Sequence, residues 1–222
     1  MLSSGDELAA VWRNEQLTTL SGLPGRTSRI NDVNRHGTYV GQWAGTDASG
    51  NFIRGGFIGE NGNWRHIDYP GFDAAGANDI NDHNRMAGVF FPPGSPWRTA
   101  FVAQDDWAYA LGPLPGGAES WAGGINNDGT VVGRTTFPNF SETATIWPPG
   151  SSQPIDLNTL VDLAGIRLVL ATEINHAGQI LVEGVGPNNT GGWFVLTPIP
   201  EPHAAAAVLA GALSSRRRCI GV

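Results

Sequence analysis

The chain has 222 residues, of which 31 are Gly and 15 Pro, about a fifth of its length and well above the roughly 12% usual for these two together. Only 15% of residues are charged, the basic ones are all Arg, and the formal net charge is −7. An acidic chain with no basic run before its last ten residues excludes an electrostatic nucleic-acid binder. The absence of an 18-residue apolar run excludes an ordinary membrane-spanning helix. The 41% hydrophobic content, with 8 Trp and 9 Phe, excludes a disordered chain. The single Cys219 allows neither a disulfide framework nor a cysteine metal site.

Taken in chain order, the elements repeat. Leu8–Trp12 and Gln16–Leu20 read as two strands. An apolar-Asn pair then opens each following unit, with a small residue four places on and, in three of the four units, a glycine eight places on. Val33-Asn34 leads to Gly37 and Gly41, Ile80-Asn81 to Asn84 and Gly88, Ile125-Asn126 to Gly129 and Gly133, and Ile174-Asn175 to Gly178 and then Val182. These anchors lie 47, 45 and 49 residues apart. A second track of small-then-bulky segments keeps the same period, with second residues Val11, Phe57, Phe101, Thr145 and Trp193. The structural repeat turns are therefore assigned to Asn34, Gly37, Gly41, Asn81, Asn84, Gly88, Asn126, Gly129, Gly133, Asn175 and Gly178.

Each unit reads as short strands. Thr38–Val40 and Thr130–Val132 are β-branched or aromatic and bounded by glycine, and the Asn-to-Gly steps supply residues that tolerate positive φ in tight hairpins. Trp64–Ile67, Trp107–Leu111 and Gln153–Leu157 give a fourth strand per unit. Four strands in about 46 residues is the size of a propeller blade. A lone sheet of this length buries too little apolar surface to offset the entropy of ordering it, so near-copies must stack, with the Trp and Phe residues as packing. The expected fold is all-β, a β-propeller-like repeat of four to five small blades with up to four antiparallel strands each. The chain begins on a third-type strand and ends after another, so a ring of four, five blades of which two are incomplete, and part of a longer ring all remain open; five is preferred.

The repeat pattern around Gly124–Gly133, with its small-bulky strand downstream, resembles the bacterial HAF repeat, although the family's His is replaced in every unit, as in Arg98-Thr99-Ala100-Phe101. The segments Asp156–Leu160, Ala171–Asn175 and Trp193–Pro198 are similar to the terminal unit of such proteins. The resemblance spans roughly residues 8–198 and implies an extracellular repeat protein without an assigned enzymatic activity. The tail resembles a PEP-CTERM sorting signal: Pro200, Glu201 and Pro202, an apolar run Ala204–Leu213, and Arg216, Arg217 and Arg218. That resemblance implies an exosortase-type processing enzyme as partner and transient membrane association, with the arginines on the cytoplasmic side. Ten apolar residues span about 15 Å, half of a hydrocarbon core of about 30 Å, so the segment is short for the task. The division is thus a repeat domain, 1–198, and a sorting tail, 199–222. No export signal is visible at the N-terminus, and a truncated start is the expectation that reconciles this with export.

Chemistry is sparse. The turns Asp79–Asn84 and Asn126–Gly129 have a faint likeness to calcium loops, but calcium wants six to eight oxygens and the second turn has one carboxylate, so turn geometry is preferred and no metal or cofactor is assigned. The Asn anchors are expected to bond backbone within their own turns. The histidines lack metal-ligand spacing, and no nucleophile elbow or phosphate loop is present. Glu119, Asp105 and Asp106 are the carboxylates considered for polysaccharide cleavage, and Trp97 and Trp121 the aromatics considered for stacking on carbohydrate. The preferred function is a non-enzymatic secreted or surface-displayed protein with a binding or structural role in the extracellular matrix. The competing one is an extracellular polysaccharide-acting enzyme on the same scaffold, and catalytic residues are assigned to neither.

Overall fold

The computed structural model describes residues 7–24, 27–199 and 219–221, which form an all-β chain of five antiparallel sheets. The first sheet has two strands, β1 (Ala10–Arg13) and β2 (Gln16–Thr19). The other four are four-stranded meanders. The second holds β3 (Thr27–Val33), β4 (Thr38–Thr46), β5 (Phe52–Glu60) and β6 (Asn63–His66). The third holds β7 (Asp73–Ile80), β8 (Met86–Phe91), β9 (Thr99–Gln104) and β10 (Trp107–Leu111). The fourth holds β11 (Glu119–Ile125), β12 (Val131–Thr136), β13 (Glu142–Trp147) and the two-residue β14 (Ile155–Asp156). The fifth holds β15 (Arg167–Ile174), β16 (Ile180–Val185), β17 (Gly191–Pro198) and β18 (Cys219–Gly221).

The last strand corrects the expected ending. The chain does not stop on a third-type strand, because Cys219–Gly221 pairs with Leu196–Pro198 and gives the fifth sheet its fourth strand. In the fourth sheet the expected strand Gln153–Leu157 shrinks to two residues. Asp156 caps a 3₁₀ turn over Leu157–Thr159 by accepting from the Asn158 N–H, and that ends the ladder.

The apolar residues are divided among four cores, one at each joint between consecutive sheets. Ala9 and Leu20 of the first sheet's segment meet Tyr39, Trp43 and Phe57 of the second. Val40 and Ile58, on the opposite face of β4 and β5, meet Ala77, Ile80, Met86 and Phe101 of the third. Val102 and Leu111 pack on Ile125, Val131 and Trp147, and Val132 and Ala144 pack on Leu168, Ile174, Val182 and Leu196. Neighbouring residues on one strand therefore serve different cores, as the alternation of side chains across a sheet requires. Each sheet is covered by the next, which makes the fold a nearest-neighbour array.

Strand register corrects the second repeat track at both ends. The two-residue turns Asn14-Glu15, Asn61-Gly62 and Asp105-Asp106 align Arg13, Glu60 and Gln104, so Ala10, not Val11, corresponds to Phe57 and Phe101. Gly41, Gly88, Gly133 and Val182 pair with Phe57, Phe101, Thr145 and Phe194, so Phe194, not Trp193, completes the series. Trp193 points the other way and is 57% exposed, and Trp12 is 67% exposed. Tryptophan supplies less of the core than expected: Trp147 is fully buried and donates to the Gly112 carbonyl (2.9 Å), and Trp43 is nearly so.

Candidate functional site

The Asn turns sit at one end of the strands, and each anchor works in two directions. Asn81 Oδ1 accepts from the His83 and Arg85 N–H groups (2.9 and 3.0 Å), closing its own turn as the sequence predicts. Its Nδ2 donates to the Asn126 carbonyl of the next unit at 2.9 Å, a role the sequence reading missed. Asn34 does the same, capping His36 and Thr38 and donating to the Asn81 carbonyl at 3.1 Å. Two further rungs run alongside: Asn31 donates to the Ala77 carbonyl and Asn78 to the Ala122 carbonyl, each at 2.7 Å. Asn126 caps Thr130, while Asn175 turns its amide back to Gln179 Oε1 at 2.8 Å.

The turn assignments divide. Gly37, Gly129 and Gly178 have φ of 84°, 86° and 77°, and Asn84 takes the same corner at 58°. Gly41, Gly88 and Gly133 are not turn residues. They lie within β4, β8 and β12, opposite register shifts at Ile30/Asp32, Ala77/Asp79 and Ala122/Gly124. At each shift a carbonyl of the first strand (Arg29, Gly76 or Trp121) occupies the space a Cβ would need. In the fifth sheet β15 has a second shift, between Leu168 and Leu170, and Val182 stands in the glycine's place.

Two residues before each Asn anchor is a position the sequence reading passed over: Asp32, Asp79, Gly124 and Glu173. Asp32, Asp79 and Glu173 line one cavity of about 530 Å³, together with Arg35, Asp82 and His176. The second and fifth sheets, three units apart in the chain, thus share it, and the Asp32 carboxyl of the second acts on Glu173 of the fifth. Asp32 accepts from the Ile80 N–H (3.0 Å) and Asp79 from the Ile125 N–H (2.5 Å), so both carboxyls also tie one sheet to the next. Burial, then the neighbouring Asp32 carboxyl, push Asp79 up to about 8, against the opposing bond from the Ile125 N–H. Burial also raises Glu173, with Asp32 adding to it. At the rim, the Asn127 amide, Arg35 and His176 hold Asp82 below the usual carboxylate range, and His176 Nε2 lies 3.3 Å from Asp82 Oδ2. The protonated form of Asp79 is thus favoured inside a cavity lined by further carboxyl groups.

The carboxylates expected from sequence are placed differently. Glu119 is buried and held by Arg98 through two bonds of 2.7 and 3.1 Å. Asp105 and Asp106 form the exposed β9–β10 turn. Trp97 and Trp121 are half-buried rather than exposed, Trp97 against Phe140 and Trp121 beneath the Arg134 guanidinium. Pro200, Glu201, Pro202, Arg216, Arg217 and Arg218 lie outside the described residues. Among the described residues, no group of three or more His, Cys, Asp or Glu side chains could hold a metal ion, and no helix is long and apolar enough to cross a membrane.

A second cavity, about 520 Å³, opens at the strand ends remote from the Asn turns, between the second and third sheets. Arg29, Gln42 and Trp43 of β3 and β4, Phe52 and Arg54 of β5, and Phe91 of β8 form much of its wall. Compared with protein-family models the chain matches none, and no curated protein matches it in sequence.

Removing one anchor tests the ladder. Asn81→Ala deletes two caps and the rung to the buried Asn126 carbonyl, which keeps only the bond from the Gly129 N–H, and costs about 2–3 kcal/mol. Asn175→Ala, at an exposed turn with no rung to the next unit, costs about 1 kcal/mol or less. Urea unfolding of both variants checks the order, and equal losses would refute the inter-unit role.

Proposed function

We propose that the chain is a secreted or surface-displayed binding protein of the extracellular matrix, built as a propeller-like ring of small blades. On this reading, residues 199–222 are a sorting tail processed by an exosortase-type enzyme, with the PEP-CTERM resemblance as support, and processing removes the strand Cys219–Gly221 from the fifth sheet. Support for a ring comes from β3, β7, β11 and β15, whose ends contribute to a single cavity so that Glu173 and Asp32 face each other. The observation that carries the binding role is the groove of about 520 Å³, where guanidinium groups and aromatic rings meet on an open surface. Aromatic faces with forked donors are a combination that suits polar, ring-containing ligands.

The carboxyls of Asp32, Asp79 and Glu173, converging with Arg35 and His176, favour a second reading, an enzyme acting on extracellular polysaccharide. One experiment separates the two. The purified chain is incubated with a panel of neutral and acidic polysaccharides, and both retention and newly released reducing ends are measured. Retention without reducing ends supports the binding role. Reducing ends that disappear in Asp79→Asn support the enzyme. Neither retention nor cleavage overturns both.

A further inference from the structure

We infer that copies of this chain associate head to tail, the outer face of the fifth sheet in one copy packing on the outer face of the first sheet in the next. This goes beyond the role proposed above and needs no carbohydrate ligand. In the second, third and fourth sheets the directly paired Val40 and Ile58, Ala87 and Val102, and Val132 and Ile146 pack into the joint with the following sheet. The same pair in the fifth sheet is Leu181 and Val195. No sheet follows among the described residues, and the two are 36% and 49% exposed, beside the exposed Trp193. The first sheet is open on its other side. Ala9, Val11 and Leu20 pack on the second sheet, so Ala10, Trp12 and Leu17 point away from it. Their equivalents turn towards the preceding sheet: Phe101 and Ala103 pack on Val40 and Ile58, and Leu196 on Val132 and Ala144. Trp12 stands in the register position of the fully buried Trp147, yet it is exposed, and so is Leu17 opposite it.

The side-chain sizes at the two ends are complementary. In the first joint the small Ala9 shares a core with Phe57, and in the last Ala144 shares one with Phe194. The leading sheet supplies the small residue and the following sheet the ring. At the open ends the sizes are exchanged. Trp193 stands at the position of Ala9 and Ala144, and Ala10 at that of Phe57 and Phe194. A large residue on one end thus meets a small one on the other, which conserves the volume that a packed joint needs. Like ends lack this fit: two Trp193 rings crowd, and two Ala10 methyls leave a void. Glu183, paired with Trp193, lies in the row that already carries Gln42 and Arg134 in the inner joints.

Within one chain the two faces do not cover each other, since Trp12 and Trp193 are both exposed, and the fit is left to a neighbouring copy. Repeat arrays end on polar faces where they stay monomeric, whereas apolar faces of this kind mark protein interfaces. Joining unlike faces makes a heterologous contact, which propagates into a ring or a filament. Every residue involved precedes position 199, so processing of the tail leaves both faces in place.

The test is sedimentation equilibrium of the full chain from about 1 to 200 μM, the range in which modest interfaces dissociate. The mass of the parent is expected to rise past that of two chains. Trp12→Glu and Trp193→Glu each leave one sound face, and each alone is expected to lose association by roughly a hundredfold or more. Mixed, they are expected to form a 1:1 dimer and nothing larger, because a single pair of sound faces remains. Leu17→Glu and Val195→Glu repeat the result with other side chains. All four positions are exposed, so melting temperatures at the lowest concentration are expected to match the parent's and confirm the fold of the variants. A parent that stays monomeric throughout overturns the inference. A variant that self-associates like the parent overturns it too, since contact between like faces survives one of the two substitutions. A mixture that stays monomeric does the same. The polysaccharide panel is read separately, and its failure leaves head-to-tail association standing.

Discussion

Gly133→Ala is expected to destabilise the chain by more than about 3 kcal/mol. The cause is local. At the shift between Ala122 and Gly124, the Trp121 carbonyl is turned onto the Cα of Gly133, and an added Cβ would overlap the oxygen deeply. Both partners are backbone in a paired ladder, so neither can rotate away. Relief requires moving β11 or β12, and both carry buried residues of the joints to the third and fifth sheets. Gly41 and Gly88 face the same obstruction from the Arg29 and Gly76 carbonyls and are expected to behave alike.

The control is Gly37→Ala. No atom lies within 4 Å of the Cβ it would add, and the whole penalty is its φ of 84°. That is worth about 1–2 kcal/mol. Gly37→Asn should cost less, since Asn84 already holds the equivalent corner at 58°. Urea midpoints for Gly133→Ala, Gly37→Ala and Gly37→Asn decide the matter. If Gly133→Ala and Gly37→Ala lost the same amount, glycine would be serving both sites through backbone freedom alone, and the close-approach account would fail.

These two kinds of glycine explain what could be read from the sequence and what could not. A period near 46 is visible because the second to fifth sheets repeat the same requirements: an Asn to close a turn, a positive-φ corner and, in all but the fifth, a glycine beneath a carbonyl. From spacing alone the last two are indistinguishable, so Gly41, Gly88 and Gly133 read as turn residues although they lie in strands. Side-chain direction in a strand has a period of two, so an offset of one residue reverses the face. That is why Val11 and Trp193 looked equivalent to Phe57 until the turns and pairings fixed Ala10 and Phe194 in those places. The acidic cavity was harder to see. Asp32, Asp79 and Glu173 do occur at a fixed offset from the Asn anchors, but Gly124 interrupts the series, and only the stacking of sheets brings residues so distant in the chain together. The groove left only a partial periodic trace: Arg54 and Arg98 each stand three residues before the equivalent Phe57 and Phe101, whereas Arg29 lies on another strand of the second sheet.

The Asp79 carboxyl makes stability depend on pH in a direction unusual for an aspartate. Its acid form is favoured in the folded chain up to about 8, whereas the unfolded side chain ionises near its ordinary value of 3.8. Below 3.8 both states hold the proton and the contribution is complete. As pH rises beyond that, the unfolded state ionises first, and folding must keep a proton that water would remove. Stability therefore falls through the interval between 3.8 and about 8, and the contribution is gone above it. The limiting slope is about 1.4 kcal/mol per pH unit, and water entering the open cavity reduces it. A total fall of about 2–3 kcal/mol, or roughly 5–10 °C in Tm, is expected between pH 4.5 and 8. Glu173 titrates in the same sense, while Asp82, with its lowered value, acts oppositely at the acid end. Asp79→Asn isolates the main contribution. An amide can accept from the Ile125 N–H with its oxygen and donate to Asp32 with its nitrogen, giving up the bond that Asp79 Oδ1 accepts from the Ile80 N–H but carrying no titrating group. The variant should melt at nearly constant temperature across the interval and above the parent at pH 8. Parallel curves for the two proteins would mean that the inter-sheet tie carries no proton, and the acid–base character of the cavity would fall with it.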